Sequence, residues 1–127
     1  MQRNYVGVDV DIIHEEVVRK VLKEMPDENM FLNLADTFKL IGENTRCKIL
    51  YALDKQEMCV GDIANILDMT KSSVSHQLAI LRRSGIVRCR KVGKEVLYKL
   101  DDEHITKLFE VALEHIIHRE SEESRNA

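Results

Sequence analysis

The spacing of apolar residues changes abruptly at Gly85, and this change limits the folds open to the chain. Over residues 60–84 apolar side chains follow the spacing of amphipathic helices. Over 86–92 and 95–100 they alternate with polar ones, as in strands, and Gly93 stands in the turn between these segments. Aromatic residues make up only 5% of the chain and tryptophan is absent, which favours a helical protein over a sandwich. The sequence therefore predicts a mainly α-helical chain with one β-hairpin.

Two short helices joined by a tight turn are predicted directly before the hairpin. The first covers 60–69 and turns at Asp68 and Met69, and Thr70 then stands at the N-cap of the second, which ends at Gly85. This spacing is a helix-turn-helix pattern. Short polar side chains on the exposed face of the second helix would let it enter the major groove of DNA. The residues predicted to contact bases are Lys71, Ser72, Ser73, Ser75, His76 and Gln77.

A strongly basic segment lies inside an otherwise acidic chain. Residues 68–99 contain eight lysines and arginines against two acids, a charge of +6, whereas the whole chain carries −3. Chance clustering on a solvated surface is disfavoured, because the basic segment coincides with the helix-turn-helix pattern and so indicates contact with a polyanion. A basic hairpin after a recognition helix is typical of a wing that contacts DNA phosphates. The predicted phosphate contacts are Arg82, Arg83, Arg88, Arg90, Lys91 and Lys94.

Residues 100–119 are predicted to form one amphipathic helix with metal ligands beside its apolar face. The apolar face consists of Ile105, Leu108, Phe109, Ala112 and Ile116. Four side chains that suit zinc lie beside it, namely Asp102, His104, His115 and His118. Histidines near the end of a helix also interact favourably with its dipole, and that simpler interpretation is favoured for His118 taken alone. The set of four taken together favours metal.

The spacing of these ligands excludes a complete site within one helix. His104 and His115 are eleven residues apart, so they share a face but lie about 16 Å apart along the helix axis. Zn–N bonds are only about 2 Å long. If two copies of the helix pack antiparallel, the Asp102/His104 end of one meets the His115/His118 end of the other, and two identical four-ligand sites result. The sequence therefore predicts a homodimer with zinc at its interface.

The remaining segments complete a single domain over residues 1–127. We expect an N-terminal arm and helix over 1–27, a DNA-binding core over 44–100, and a dimerisation and metal helix over 101–119. A helix is also predicted over 28–41, and the one after it is expected to have Asn44 or Thr45 at its N-cap. No segment approaches the roughly 18 apolar residues of a membrane span, and the N-terminus lacks a signal peptide, so we expect a cytoplasmic protein without membrane partners.

The stretch from residue 34 to 118 resembles the ArsR/SmtB family of metal-sensing bacterial transcriptional repressors. The segments EMCVGDIA, SSVSHQLAILRRSGIV, RKVGKEVLYKL and DDEHI with LEHIIH carry the resemblance. It implies a winged helix-turn-helix homodimer that forms through its N- and C-terminal helices. This dimer binds a palindromic operator when free of metal and leaves it when zinc binds, with cobalt or nickel as further candidate ions. The resemblance also assigns Asp102 and His104 to one subunit of each metal site, and His115 and His118 to the other.

The same resemblance implies a second metal site between the N-terminal arm and the helix that follows Cys59. Cys59 and Asp62 stand at the corresponding positions, and His14, together with Asp9 or Asp11, could reach them from the arm. The alternative interpretation, slightly preferred, is that Cys59 is buried and that Asp62 caps the helix.

Two departures from the thiolate-rich version of this site disfavour cadmium or lead. Gly61 occupies the place of a second cysteine, and no cysteine precedes Cys47, whereas soft ions prefer thiolate ligands. The alternative function is a repressor of the same fold that senses cadmium, lead or thiol oxidation through Cys59. A zinc hydrolase built on the C-terminal ligands is disfavoured, because four protein ligands leave no position for a reacting water.

Overall fold

A computed structural model describes residues 14–126 of the chain. The helices and strands follow one another in the order predicted from the sequence, which confirms a mainly α-helical chain with one antiparallel hairpin. The elements are α1 (Glu15–Glu24), α2 (Glu28–Ile41), α3 (Asn44–Lys55), α4 (Val60–Leu67), α5 (Lys71–Arg83), β1 (Val87–Val92), β2 (Glu95–Leu100) and α6 (Glu103–Asn126).

The chain divides into two compact units, Met1–Ala35 and Asp36–Ala127. In the first unit, α1 has no buried side chain, and Val17 and Val21 lie exposed on one face at i, i+4 spacing. Arg19 pairs with Glu15 at 2.6 Å on the same helix. Such exposed pairs add only about 0.3–0.5 kcal/mol each, so α1 by itself is weakly stabilised.

The hydrophobic core lies in the second unit, where α3, α4, α5 and the hairpin meet. Each of these elements contributes side chains that are almost completely buried, and burying one such side chain contributes about 1.5–3 kcal/mol. The largest of them are Ile49, Leu50, Ile63, Val74, Leu78, Leu81 and Val87. Ile105 and Phe109 of α6 pack partly buried against this core. The helices and the hairpin that are predicted to bind DNA thus pack around one hydrophobic core within a single chain.

Two glycines and an aspartate set the sharp changes of direction in this unit. Asp68 adopts a left-handed conformation with φ 54° between α4 and α5, and the next residue, Met69, donates its N–H to the Ala64 carbonyl at 2.9 Å. Gly85 has φ +73° between α5 and β1, and Gly93 has φ +63° in the hairpin turn. Only glycine adopts such angles without steric cost, so the predicted turns are confirmed.

The helix starts were predicted with mixed success. The Thr70 hydroxyl accepts the N–H of Ser73 at 3.1 Å, which confirms the predicted N-cap of α5. The prediction of Asn44 or Thr45 as the cap of α3 was wrong. The carboxylate of Glu43 accepts the N–H groups of Thr45 at 3.1 Å and Arg46 at 2.9 Å instead. These backbone donors lower the pKa of Glu43.

A third strand segment of one residue extends the hairpin. In the hairpin, Cys89 of β1 pairs with Tyr98 of β2. On the other side of β2, Met58 donates to the Tyr98 carbonyl at 3.2 Å and accepts the Tyr98 N–H at 2.8 Å. Met58 is buried, so the chain two residues before α4 is fixed against the hairpin.

Helix α6 is longer than the sequence predicted. It continues to Asn126, seven residues beyond the predicted end at Arg119. His118 with Glu122 and Arg119 with Glu123 form i, i+4 pairs in this extension, which supports helix beyond the apolar stripe. None of the helices within residues 14–126 is both long and apolar enough to span a membrane.

Candidate DNA-binding and metal-binding sites

The exposed face of α5 carries most of the residues predicted to contact bases. These are Lys71, Ser72, Ser73, Ser75 and His76, which are all exposed. The N-cap bond at Thr70 holds the first turn, and the buried side chains of Val74, Leu78 and Leu81 hold the opposite face against the core. The short polar side chains therefore stand on a rigid helix and leave room for a groove edge.

Gln77 differs from the other residues of this set. It is half-buried, and its Oε1 accepts a hydrogen bond from Arg46 Nε at 2.9 Å. Arg46 also donates to the Leu40 carbonyl at 3.3 Å, so its guanidinium is fixed on both sides. The bond leaves the amide NH₂ of Gln77 to act as a donor. Sequence reasoning missed Arg46, because 31 residues separate it from Gln77 and no periodic pattern links them.

The residues predicted to contact phosphates all lie exposed at the end of α5 and on the hairpin. They are Arg82, Arg83, Arg88, Arg90, Lys91 and Lys94. Arg90 alone among them has an ion pair within the described residues. Its Nε lies 3.1 Å from both carboxylate oxygens of Glu57, and its Nη2 lies 2.6 Å from one of them. These hydrogen bonds lower the pKa of Glu57.

Asp102 and His104 stand together at the start of α6. Asp102 Oδ1 accepts the Ile105 N–H at 3.0 Å, so Asp102 is the N-cap of α6. This backbone donor is the main reason that the pKa of Asp102 is lowered. The other oxygen, Oδ2, lies 3.6 Å from His104 Nδ1, and the imidazole is 93% exposed. Capping therefore fixes the carboxylate and leaves one oxygen beside the imidazole.

His115 and His118 stand about three turns further along the helix, both exposed. His118 Nε2 lies 3.2 Å from Glu122 Oε1. Histidines that bind metal through one ring nitrogen commonly use the other to contact a carboxylate, which orients the ring. Glu122 was missed because the helix was predicted to end at Arg119, although its i, i+4 spacing from His118 is visible in the sequence.

The two pairs of ligands do not form a complete site within one chain. Over residues 14–126 no three His, Cys, Asp or Glu side chains of a single chain are grouped so that they could hold a metal ion. The donor types fit zinc, since two imidazoles or an imidazole and a carboxylate stand at each end. The arrangement supplies two half-sites at opposite ends of α6.

Several apolar side chains of α6 are exposed among its charged residues. No residue of α6 is buried, and Val111, Ile116 and Ile117 are all more than half exposed. Isolated exposed apolar residues are normal, but several on one helix indicate a contact surface for another polypeptide.

The second candidate metal site is only partly assembled in the structure. Cys59 Sγ donates to Asp62 Oδ2 at 3.3 Å at the start of α4. Cys59 is half-buried rather than buried, and Asp62 contacts the Cys59 thiol rather than a backbone N–H, so both parts of the alternative interpretation were wrong. His14 is exposed and belongs to the first unit, and Asp9 and Asp11 lie outside the described residues.

Comparison with known proteins agrees with the fold. Residues 43–88 match the arsR family of bacterial regulatory proteins. The chain is 41% identical to a cadmium resistance transcriptional regulatory protein CadC homolog of Staphylococcus aureus, over 84% of this chain and 88% of that protein. It is 35% identical to a transcriptional repressor SmtB homolog of Synechocystis, over 85% of this chain and 82% of that protein.

A solved structure shares this architecture. It is the solution structure of a homodimeric winged helix-turn-helix DNA-binding domain from Mycobacterium bovis, described as a possible ArsR-family transcriptional regulator. The TM-score is 0.66 at 25% identity, and the match covers 80% of this chain and 94% of that one. The arrangement of α4, α5 and the hairpin is therefore a winged helix-turn-helix.

Proposed function

Because the chain belongs to the ArsR family of bacterial regulatory proteins and is a DNA-binding regulator rather than an enzyme, we propose that it is a metal-sensing transcriptional repressor that responds to zinc. One observation carries the choice of site: two pairs of zinc-type ligands stand at opposite ends of a helix that also carries exposed apolar side chains. Cobalt and nickel have similar ligand preferences and are further candidate ions.

The proposed active species is a cytoplasmic homodimer. The exposed side chains of Val111, Ile116 and Ile117 need a partner surface, and a second copy of α6 offers a matching one across a two-fold axis. Antiparallel packing places Asp102 and His104 of one copy beside His115 and His118 of the second copy. The solved structure from Mycobacterium bovis is described as homodimeric, which supports a dimer but not a particular helix packing.

Each chain prepares its half of the proposed site before any ion binds. The Ile105 N–H holds one oxygen of Asp102, and Glu122 lies against His118. Asp102, His104, His115 and His118 would hold the zinc ion, which would supply a divalent charge for these four ligands to share. The side chains of two copies are then held together.

The proposed response of the DNA complex follows from that connection. In the metal-free dimer, α5 of each copy enters a major groove and the hairpin cations contact phosphates, with half-sites about 34–36 Å apart on a palindromic operator. Holding the two C-terminal helices together restricts how the two DNA-binding cores are arranged. Couplings of this kind are typically about 1–3 kcal/mol, enough to change operator affinity by about 5- to 150-fold.

Mixing two defective variants tests the shared site. Asp102→Asn/His104→Gln and His115→Gln/His118→Gln each destroy both sites of their own homodimer. A heterodimer of the two regains one intact site if the ligands come from different subunits, and none if they come from one. After unfolding and refolding together, the mixture should bind about one quarter of the zinc that the wild type binds.

The DNA side of the proposal is tested with an operator selected from a pool of random duplexes. Zinc should release the wild-type dimer and leave both homodimeric variants bound. A wild-type protein that selects no sequence would contradict the repressor assignment. Zinc binding without release, or equal release of both variants, would contradict the assigned switch.

A second candidate function rests on the contact between Cys59 and Asp62. The thiol and the carboxylate lie 3.3 Å apart, and the relative from Staphylococcus aureus is named as a cadmium resistance regulator. Under this proposal Cys59, Asp62 and His14 bind cadmium or lead, and Cys59→Ser removes the cadmium response and leaves the zinc response. A Cys59→Ser protein that still releases DNA with cadmium would exclude it, and so would a wild-type protein indifferent to cadmium. The same variant tests thiol oxidation, because a peroxide response that survives it does not act through Cys59.

A further inference from the structure

Three cations of the hairpin lie on one of its faces, and one acid from outside the hairpin lies beside them. Arg88 pairs with Lys99 in the register of β1 and β2, and Arg90 follows two residues later on the same face. The antiparallel bridge between Met58 and Tyr98 places the residue before Met58 beside the residue after Tyr98. Glu57 therefore stands beside Lys99. Glu57, Arg88, Arg90 and Lys99 line one open cleft of about 320 Å³, together with Cys89.

Glu57 is held in this position rather than free to move away. Met58 is hydrogen-bonded to Tyr98 in both directions and its side chain is buried, so the backbone next to Glu57 is fixed. The side chain of Glu57 is 19% exposed, whereas that of Arg90 is 61% exposed. By contrast, both members of the Arg19–Glu15 pair on α1 are mostly exposed on a single helix. The carboxylate is held against the hairpin, and the guanidinium is the more exposed partner of the pair.

Glu57 occupies an edge of the Arg90 guanidinium that could bind a phosphate. A guanidinium binds carboxylate and phosphate in the same way, through two parallel N–H groups. In this structure Nε and Nη2 of Arg90 both contact Glu57. A phosphate must therefore displace Glu57 or use the remaining donors, and until then the pair cancels one positive charge of the wing.

We propose that Glu57 is an internal competitor of DNA phosphate for Arg90, and that it lowers the affinity of the wing for DNA of any sequence. This inference rests on the proposed DNA-binding function and adds a residue that limits it. A repressor that must leave its operator benefits from a weaker phosphate contact, because the affinity that release has to overcome is smaller.

The test compares Glu57→Gln with Glu95→Gln on a mixed-sequence duplex of about 30 base pairs, since phosphate contacts do not depend on sequence. Glu95 is an exposed acid at the start of β2, so its substitution makes the same change in net charge on the same hairpin. Glu57→Gln should tighten binding by about 3- to 10-fold at 50 mM salt and steepen the logarithmic salt slope by about 0.9, the value of one added phosphate contact. Glu95→Gln should change affinity by less than about 2-fold, because screening weakens an indirect effect.

Introducing Glu57→Gln into the Arg90→Gln variant shows whether Glu57 affects DNA binding through Arg90. If Glu57 acts through Arg90, the gain of Glu57→Gln falls to that of Glu95→Gln in this background. A gain that persists there, a gain no larger than that of the control, or a loss of affinity would each overturn the proposal. If the wild-type protein binds no duplex, the proposed DNA-binding function fails together with the competitor role. If the wild type binds but the variants give one of the contradicting results above, only the competitor role of Glu57 is overturned.

Discussion

The DNA-binding core over residues 44–100 and helix α6 differ in what one chain completes by itself. This region buries Ile49, Leu78 and Leu81 almost fully, and the residues proposed to contact bases stand on a helix supported by that packing. Helix α6 buries no residue, and its ligands are divided between its two ends. The comparison indicates that the DNA-contacting surface belongs to each chain, whereas the proposed metal response belongs to the assembly.

The largest expected effect is on the free energy of unfolding, and it should differ between a residue buried in the hydrophobic core and an exposed residue of α6. Leu78→Ala leaves a cavity in a fully buried site and should lower the free energy of unfolding by about 2–5 kcal/mol. Val111→Ala, at a residue that is 63% exposed, should leave the unfolding of the dilute protein nearly unchanged and weaken its self-association. Urea unfolding and sedimentation measure the two quantities. Equal loss of stability in both variants would remove the distinction between the regions.

A second substitution separates DNA binding from metal binding. Ser75 is exposed on α5, and Ser75→Ala should weaken operator binding by about 1–3 kcal/mol through a lost base contact. Zinc affinity should not change, because Ser75 lies on α5 and not on α6, which carries the proposed zinc ligands. Operator titration and zinc competition on the same preparation check this. A large change in zinc affinity would mean that the two regions are not independent.

A smaller effect sharpens the role of the extension of α6. Glu122→Gln removes the carboxylate beside His118 and should weaken zinc binding by about 10-fold, as expected for a residue that orients a ligand. Glu123→Gln is the matched control, since Glu123 pairs with Arg119 on the same turn at 3.6 Å. Glu122→Asp should recover part of the affinity. If the two Gln variants bind zinc equally, Glu122 has no positioning role.

The smallest effect depends on pH. The N–H groups of Thr45 and Arg46 lower the pKa of Glu43 below its ordinary value of 4.5, so the folded state favours the charged form. Its contribution to stability is therefore present above pH 4.5 and is lost as pH falls through the lowered pKa. Glu43→Gln should lower Tm by a few degrees at neutral pH, and the difference should disappear in acid. A difference that does not depend on pH would contradict the capping role of the charge.

Local patterns explain why much of the fold was predicted. The cap at Thr70, the turn at Gly93 and the change of period at Gly85 each depend on neighbouring residues, and all three are confirmed. The predicted cap of α3 was wrong because the carboxylate of Glu43, one residue before Asn44, accepts the first N–H groups of the helix. Shorter side chains are the usual caps.

The missed contacts join residues that are distant in sequence. Arg46 and Gln77 are 31 residues apart, and Glu57 and Arg90 are 33 apart. No periodicity relates such positions, and only the fold of α3, α5 and the hairpin brings them together. The candidate metal ligands could be proposed because an eleven-residue step along one helix is a local pattern, but both their role and their assembly across two copies stay predictions.

The single bridge at Met58 has a consequence for aggregation. It covers one side of β2, so among the described residues β1 is the outer strand of the hairpin, with no strand paired on its far side. An uncovered strand edge can pair with the same edge of another molecule, and charged side chains on it oppose that pairing. Arg88, Arg90 and Lys91 all belong to β1. The cations proposed to contact phosphate therefore also oppose the pairing of free molecules strand to strand.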